Sequence, residues 1–212
     1  MYYFIVNREI KDDNMKFLFE DKNIIVCVKP VGLDSEHELV DKLKEQYNGE
    51  IFVVHRLDKN VGGVMVFARN KHSASLLSKH IQEGTMIKEY VAMVHGHPEP
   101  KGDWTDLLWK DSSKNKVFVV NRERKGVKKA RLEYSCTHFE TTSLVQIRLH
   151  TGRSHQIRVQ FSSRGYPLVG DHKYGSKDKE TNPMLFSCRI TFPYQKELRS
   201  FEYYPEWSKK SI

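Results

Sequence analysis

"HRLDKNVGG", residues 55–63, sets one carboxylate, Asp58, among Arg56, Lys59 and the glycine pair Gly62-Gly63. Apolar runs flank it, "IFVV" at 51–54 and "VMVFA" at 64–68. Runs this short and rich in valine and phenylalanine read as strands, so "IFVVHRLD" and "GVMVFARN" are two strands joined through a charged turn. Two readings of Asp58 follow. It is a turn aspartate bonded to its own backbone, or it is a buried carboxylate. A buried carboxylate is driven toward its neutral acid unless a cation keeps it charged. Held charged by an arginine, such a group can act as a nucleophile.

Outward from this turn, strands dominate. "KFLFEDKNIIVCVKPVG" reads as two strands around "EDKN", and "MIKEYVAMVHG" as another. "HELVDKLKEQY" places Leu39, Leu43 and Tyr47 on one helical face, with Gly49 as the stop. "KHSASLLSKHIQEG" is helical through Ala74, Leu77 and Ile81, ending at Gly84. "ARLEYSCTHFETTSLVQIRLHTG" is a hairpin turning near "ETTS", with Val145, Ile147 and Leu149 alternating against Gln146, Arg148 and His150. "SHQIRVQFSSRG" is a short helix with Ser154 as cap, Ile157 and Phe161 toward the core and Gly165 as closure. In "MLFSCRITF" the core face holds Met184, Phe186, Cys188, Ile190 and Phe192, which leaves Leu185 as an apolar residue on the polar face. A tail with Pro193 and Pro205 follows. Many strands with a few unevenly spaced helices predict an α+β fold with a central mixed, mainly antiparallel sheet flanked by helices and loops.

The 212 residues carry 35 lysines and arginines against 27 acids, a net +8. That excess suits a polyanionic partner. It concentrates in "NRERKGVKKAR", 121–131, which reads as a solvated loop, either solubilising or poised for phosphates. No apolar run approaches the roughly 18 residues that span a membrane. The opening stretch has no basic leader or small-residue cleavage site, so a cytoplasmic protein without membrane attachment is expected. Cys27, Cys136 and Cys188 form no CxxC pair and read as reduced core cysteines. The histidines make no HExxH pattern, so no metal site is expected. GxGxxG and GxxxxGK[ST] are both absent, which excludes phosphate-cradling loops of those types.

Two further places can carry chemistry. In "TGRSHQIRVQ", Arg153 precedes the helix, and His155 and Arg158 share one face three residues apart. These groups fit phosphate or carboxylate binding, or form a polar helix face. Tyr90, inside a strand, is either core packing or a site residue.

Taken in order, the blocks "FLFEDKNIIVCVKPVGL", "HRLDKNVGGVMVFARN", "KEYVAMVHG", "LHTGRSHQIRVQ", "GYPLVGDHKYG" and "MLFSCRITFP" resemble the RNA pseudouridine synthases of the RluA type. The resemblance runs from residue 17 to about residue 193, and the histidine of "HRLD" favours this branch. It implies the pseudouridine synthase catalytic fold, and an isomerase that detaches uracil and rejoins it through carbon 5 without cofactor or metal. It makes Asp58 the catalytic aspartate, Tyr90 the active-site tyrosine and Arg158 the arginine paired with Asp58. Leu185 lines the uracil pocket. Arg56 helps fill the space left by the flipped-out nucleotide, flipping being required because the reacting atoms are inaccessible in a stack. His55, Arg153 and His155 are further substrate-binding candidates, and the glycines after Asp58 would let backbone approach the substrate.

Two departures stand out: Val61-Gly62-Gly63 replaces a common Thr-Ser-Gly, and Gln160 replaces a frequent histidine. The first 16 residues are too few for a separate S4-like RNA-binding domain. One catalytic domain over 1–212 is therefore expected, a monomer acting on rRNA or tRNA. The alternatives are a non-catalytic RNA-binding or RNA-chaperone protein on the same fold and, more distantly, a metal-dependent nuclease.

Overall fold

The computed structural model describes residues 8–10 and 15–209. Most of the opening stretch read above for a leader lies outside them. In chain order the strands are β1 (Arg8–Ile10), β2 (Met15–Glu20), β3 (Ile24–Lys29), β4 (Phe52–Val53), β5 (Gly62–Ala68), β6 (Ile87–His95), β7 (Lys101–Asp111), β8 (Lys116–Val120), β9 (Val127–His138), β10 (Thr142–Leu149), β11 (Leu185–Tyr194) and β12 (Glu197–Glu202). The helices are α1 (Glu38–Tyr47), α2 (Lys71–Gln82), α3 (Gln156–Ser162) and α4 (Glu206–Lys209). Mostly antiparallel strands with few helices make the fold α+β, as expected. Packing divides the described residues into two compact units: those up to 88 with 187–205, and 89–186 with 206–209.

In the first unit β2 pairs with β3, and β3 with β5, which also receives the short β4. Every residue of β3 and β5 is buried, and all but Lys29, at the end of β3, are apolar or glycine. One face packs Ile24, Val26, Val64 and Val66 against Leu77 of α2, with Ala74 and Ile81 partly buried beside it. Asn70 caps α2 by accepting from the Ser73 amide at 2.9 Å, which fixes the helix start. In the second unit the strand order is β6-β10-β9-β7-β8. Its core joins Leu108, Val117 and Ala130 to Val159 of α3 and to Tyr174. Trp104, Tyr134 and Phe161 pack ring against ring, with centroids 4.5–5.3 Å apart.

Several expectations are corrected. Of the strand expected through "IFVVHRLD", only Phe52–Val53 pairs, and 54–61 is irregular. Asn48, not Gly49, takes the left-handed position that ends α1. Ser154 is not the cap of α3. His155 holds that position in a left-handed conformation, and the Gln156 side chain accepts the Arg153 amide instead, at 3.1 Å. The 121–131 stretch is a loop only to Gly126; β9 takes in Val127 to Arg131. The tail contains β12, paired with β11 through a tight turn whose Gln195 and Lys196 both have positive φ. Along β11 only Arg189 and Pro193 are less than buried, so Ser187 and Thr191 lie among the apolar residues and most of the face that holds Leu185 is covered. Cys136 is only partly buried, beside His138, whereas Cys27 and Cys188 are core thiols.

Candidate active site

In the first unit the Asp58 segment is held by its neighbours rather than by a ladder. The Ser35 hydroxyl donates to the Leu57 carbonyl at 3.0 Å and accepts the Leu57 amide at 3.3 Å. On the other side, the Lys59 carbonyl accepts the Gly32 amide at 2.9 Å and the Lys29 ammonium at 3.2 Å. The Val61 amide donates to the Asp58 carbonyl at 2.9 Å and closes the turn. The cations that crowd Asp58 in sequence face acids at the start of α1. Arg56 pairs with Glu36 at 2.9 Å and Lys59 with Glu38 at 3.0 Å, both half exposed. Exposed pairs of this kind hold only about 0–1 kcal/mol, so either cation is readily exchanged to another anion.

His55 is engaged inward. Its Nε2 accepts the Val66 amide at 3.1 Å, and its Nδ1 is buried with no partner. Burial first, and then the Lys88 charge, push the imidazole down to about 3, so it remains neutral at physiological pH. Gly63 has φ +135°, and a side-chain carbon there would collide with the backbone of Ser187. That glycine therefore serves the approach of two strands, and the room it leaves is already filled by protein, not by substrate.

In the second unit Arg158 is buried on α3. It donates Nε to Asp171 Oδ2 at 2.7 Å and Nη2 to Asp171 Oδ1 at 2.8 Å, the planar two-point geometry that guanidinium and carboxylate favour. The Tyr174 ring lies 5.1 Å from the guanidinium, and its hydroxyl meets His155 Nδ1 at 2.9 Å. The expected shared face of His155 and Arg158 is thus present, and both groups converge on Tyr174. The two-point bond to Asp171 does not use Nη1 of Arg158. Gln160, the other noted departure, donates to Asp106 at 2.7 Å and so ties α3 to β7. Tyr90 is buried on β6, and Leu185 is buried as the first residue of β11.

The segment carrying Asp171 is itself pinned. Asp178 accepts from the Ser176 hydroxyl, from the Gly170 amide at 2.9 Å and from His95 Nε2 at 2.8 Å. Burial raises the Asp178 carboxyl, but these bonds outweigh it and hold it at about 2.

The same unit carries the basic surface. Arg122, Arg124 and Lys125 are exposed before β9, and Lys128 and Lys129 are exposed on it. Arg124 stacks over Trp109 at 4.7 Å, and exposed Arg153 donates to the Lys129 carbonyl at 3.0 Å. Arg131 is occupied by Asp103 and Glu133, at 2.8 and 2.6 Å. Among the described residues no cluster of histidine, cysteine and acid could hold a metal ion, and no helix is long and apolar enough to cross a membrane.

From the sequence Lys29, Ser35 and Tyr174 were passed over, and Asp171 was weighed only as a metal ligand and set aside. The one local signal was a lysine closing the otherwise apolar run "IIVCVK".

Comparison with known proteins places the chain in a class. The family model described as RNA pseudouridylate synthase matches residues 23–163. The dual-specificity RNA pseudouridine synthase RluA of Vibrio vulnificus is 34% identical over 214 residues, covering 90% of this chain and 85% of its own. The tRNA pseudouridine synthase C of Haemophilus ducreyi is 31% identical, covering 76% of this chain and 74% of its own. The ribosomal large subunit pseudouridine synthase D of Zymomonas mobilis is 28% identical, covering 85% and 62%. The solved structure of human RNA pseudouridylate synthase domain containing 1 shares the fold, with a TM-score of 0.78 at 22% identity over 91% of this chain and 84% of that one. The chain belongs to the RNA pseudouridylate synthase family and, within it, to the RluA type. It is an RNA pseudouridine synthase, an isomerase whose partner is RNA.

Proposed function

We propose that the chain converts specific uridines of structured ribosomal or transfer RNA to pseudouridine, as a monomer in the cytoplasm, with Asp58 as nucleophile. The bond from the sugar to uracil N1 breaks and a bond to C5 forms. N1 gains a proton and C5 loses one, so no external reagent is consumed. Arg158 supplies positive charge, Tyr90 lies against the base, and Leu185 supplies an apolar wall for uracil. Arg56, His55, Arg153 and His155 complete the substrate-binding set: Arg56 through its exchangeable ion pair, His55 as a neutral ring behind the turn.

The observation that carries this reading is the family match across 23–163, which contains the blocks of Asp58, Tyr90 and Arg158. The names of the relatives, which include both rRNA and tRNA enzymes, support the two RNA classes. They also disfavour a non-catalytic RNA chaperone. The exposed cations of 122–129 supply the grip on phosphates that positions a substrate. Purified protein incubated with total cellular RNA in metal-free buffer should create pseudouridine at a small number of positions. RNA cleavage, or no new pseudouridine in any RNA fraction, would refute the proposal.

A further inference from the structure

Lys29 ends β3 and is fully buried, an unusual place for a lysine. Its ammonium donates to three backbone carbonyls: Pro30 at 2.9 Å, Leu33 at 2.7 Å and Lys59 at 3.2 Å. Two of these belong to the 30–35 loop and the third to the residue after Asp58. Ser35, 1% exposed and at the end of that same loop, binds both peptide groups of Leu57, the residue before Asp58. The residues on either side of Asp58 are thus tied to one loop, and Lys29 ties that loop to itself.

We infer that Lys29, with Ser35, is a positioning pair for the Asp58 nucleophile: it fixes the backbone on both sides of that residue and keeps a buried cation within electrostatic reach of its carboxylate. This rests on Asp58 being the nucleophile. A nucleophile must sit within a few tenths of an ångström of its productive place, and Asp58 lies on irregular chain with no ladder to hold it.

The charges acting on the Lys29 ammonium are Asp34, Asp58 and Glu38, which favour its charged form, and Lys59, which opposes it. Burial outweighs them and brings the ammonium down to about 8. Above that pH it loses its charge and one of its three donors, so the tie to Lys59 and the field at Asp58 weaken together. Turnover should therefore fall on the alkaline side for a reason located at Lys29.

The test measures the rate at saturating RNA, the RNA Kd and the circular dichroism of wild type, Lys29→Met and Ser35→Ala between about pH 6.5 and 9.5. Lys29→Met should fold, bind RNA within about twofold of wild type and turn over roughly 10- to 100-fold more slowly. It should also lack the fall near pH 8 expected of wild type. A folded Lys29→Met with the wild-type rate, or with the wild-type alkaline fall, would overturn the inference. If Lys29→Met does not fold, Ser35→Ala decides. A lowered saturating rate at unchanged Kd supports the pair, and an unchanged rate overturns it. A wild type that makes no pseudouridine refutes the proposed function instead, so the two failures are distinguishable.

Discussion

Lys29 and Arg158 are both buried cations, one in each compact unit, and they are satisfied by different chemistry. Lys29 is held by three neutral carbonyls, so its charge is solvated but not cancelled, and burial draws it down to about 8. Arg158 is held by the Asp171 carboxylate, with side chains 7% and 1% exposed, so a fixed anion offsets the cost of burying its charge and its plane is set. Carbonyls belong to the chain, and a cation bound to them fixes the chain. A carboxylate belongs to a side chain, and a cation bound to it becomes a rigid fork. The first device suits the irregular segment proposed to carry the nucleophile. The second suits the side chain proposed to present charge without moving.

The contrast breaks most visibly at Asp171. Asp171→Ala leaves a buried guanidinium without this carboxylate, and losing one member of a buried pair costs roughly 3–5 kcal/mol. Denaturant melts should show that loss, together with loss of turnover. Arg158→Lys should recover little, because an ammonium cannot reproduce the planar fork. Lys29→Met removes the buried charge along with its donors and leaves only neutral carbonyls, so its stability loss should be smaller, about 1–3 kcal/mol.

Asp178 sharpens the comparison through pH. Its folded pKa of about 2 lies below the unfolded value of about 3.9, so its stabilisation is present above the unfolded value and is lost as pH falls toward 2. Asp178→Asn should lower stability by about 2 kcal/mol at neutral pH and by almost nothing near pH 2. Melts of the two proteins across that window would check it. Parallel curves at every pH would show that the carboxylate pin is not what holds the Asp171 segment.

The smallest effect concerns the surface. Lys125→Glu, Lys128→Glu and Lys129→Glu together should weaken RNA binding and reduce its salt slope by about 0.7–0.9 for each phosphate no longer neutralised. Saturating RNA should restore most of the turnover. Unchanged affinity and slope would move the phosphate grip to Arg56, Arg153 and the 172–179 segment.

Much of this was legible where periodicity is local. The helix at 71–82 and the hairpin of β9 and β10 announce themselves through apolar spacing and a turn. β12 does not, because its turn uses Gln195 and Lys196 at positive φ where glycine or asparagine gives the usual signal. The start of β9 hides behind Lys128 and Lys129, whose charge reads as loop although Ala130 and Leu132 just beyond them are buried. Among the candidate residues, Asp58 and Arg158 could be singled out because a charge beside apolar runs is conspicuous. Lys29 and Asp171 could not be assigned roles. Lys29 works through a carbonyl thirty residues away, and Asp171 meets Arg158 thirteen residues along the chain.

The central claim is that Asp58 is the nucleophile. Asp58→Asn keeps the size of the side chain and its backbone ties while removing the charge. Incubated with an RNA that the wild type modifies, at saturating concentration, the variant should form no measurable pseudouridine while binding that RNA with near wild-type affinity. Pseudouridine formed at a rate close to wild type would contradict the account.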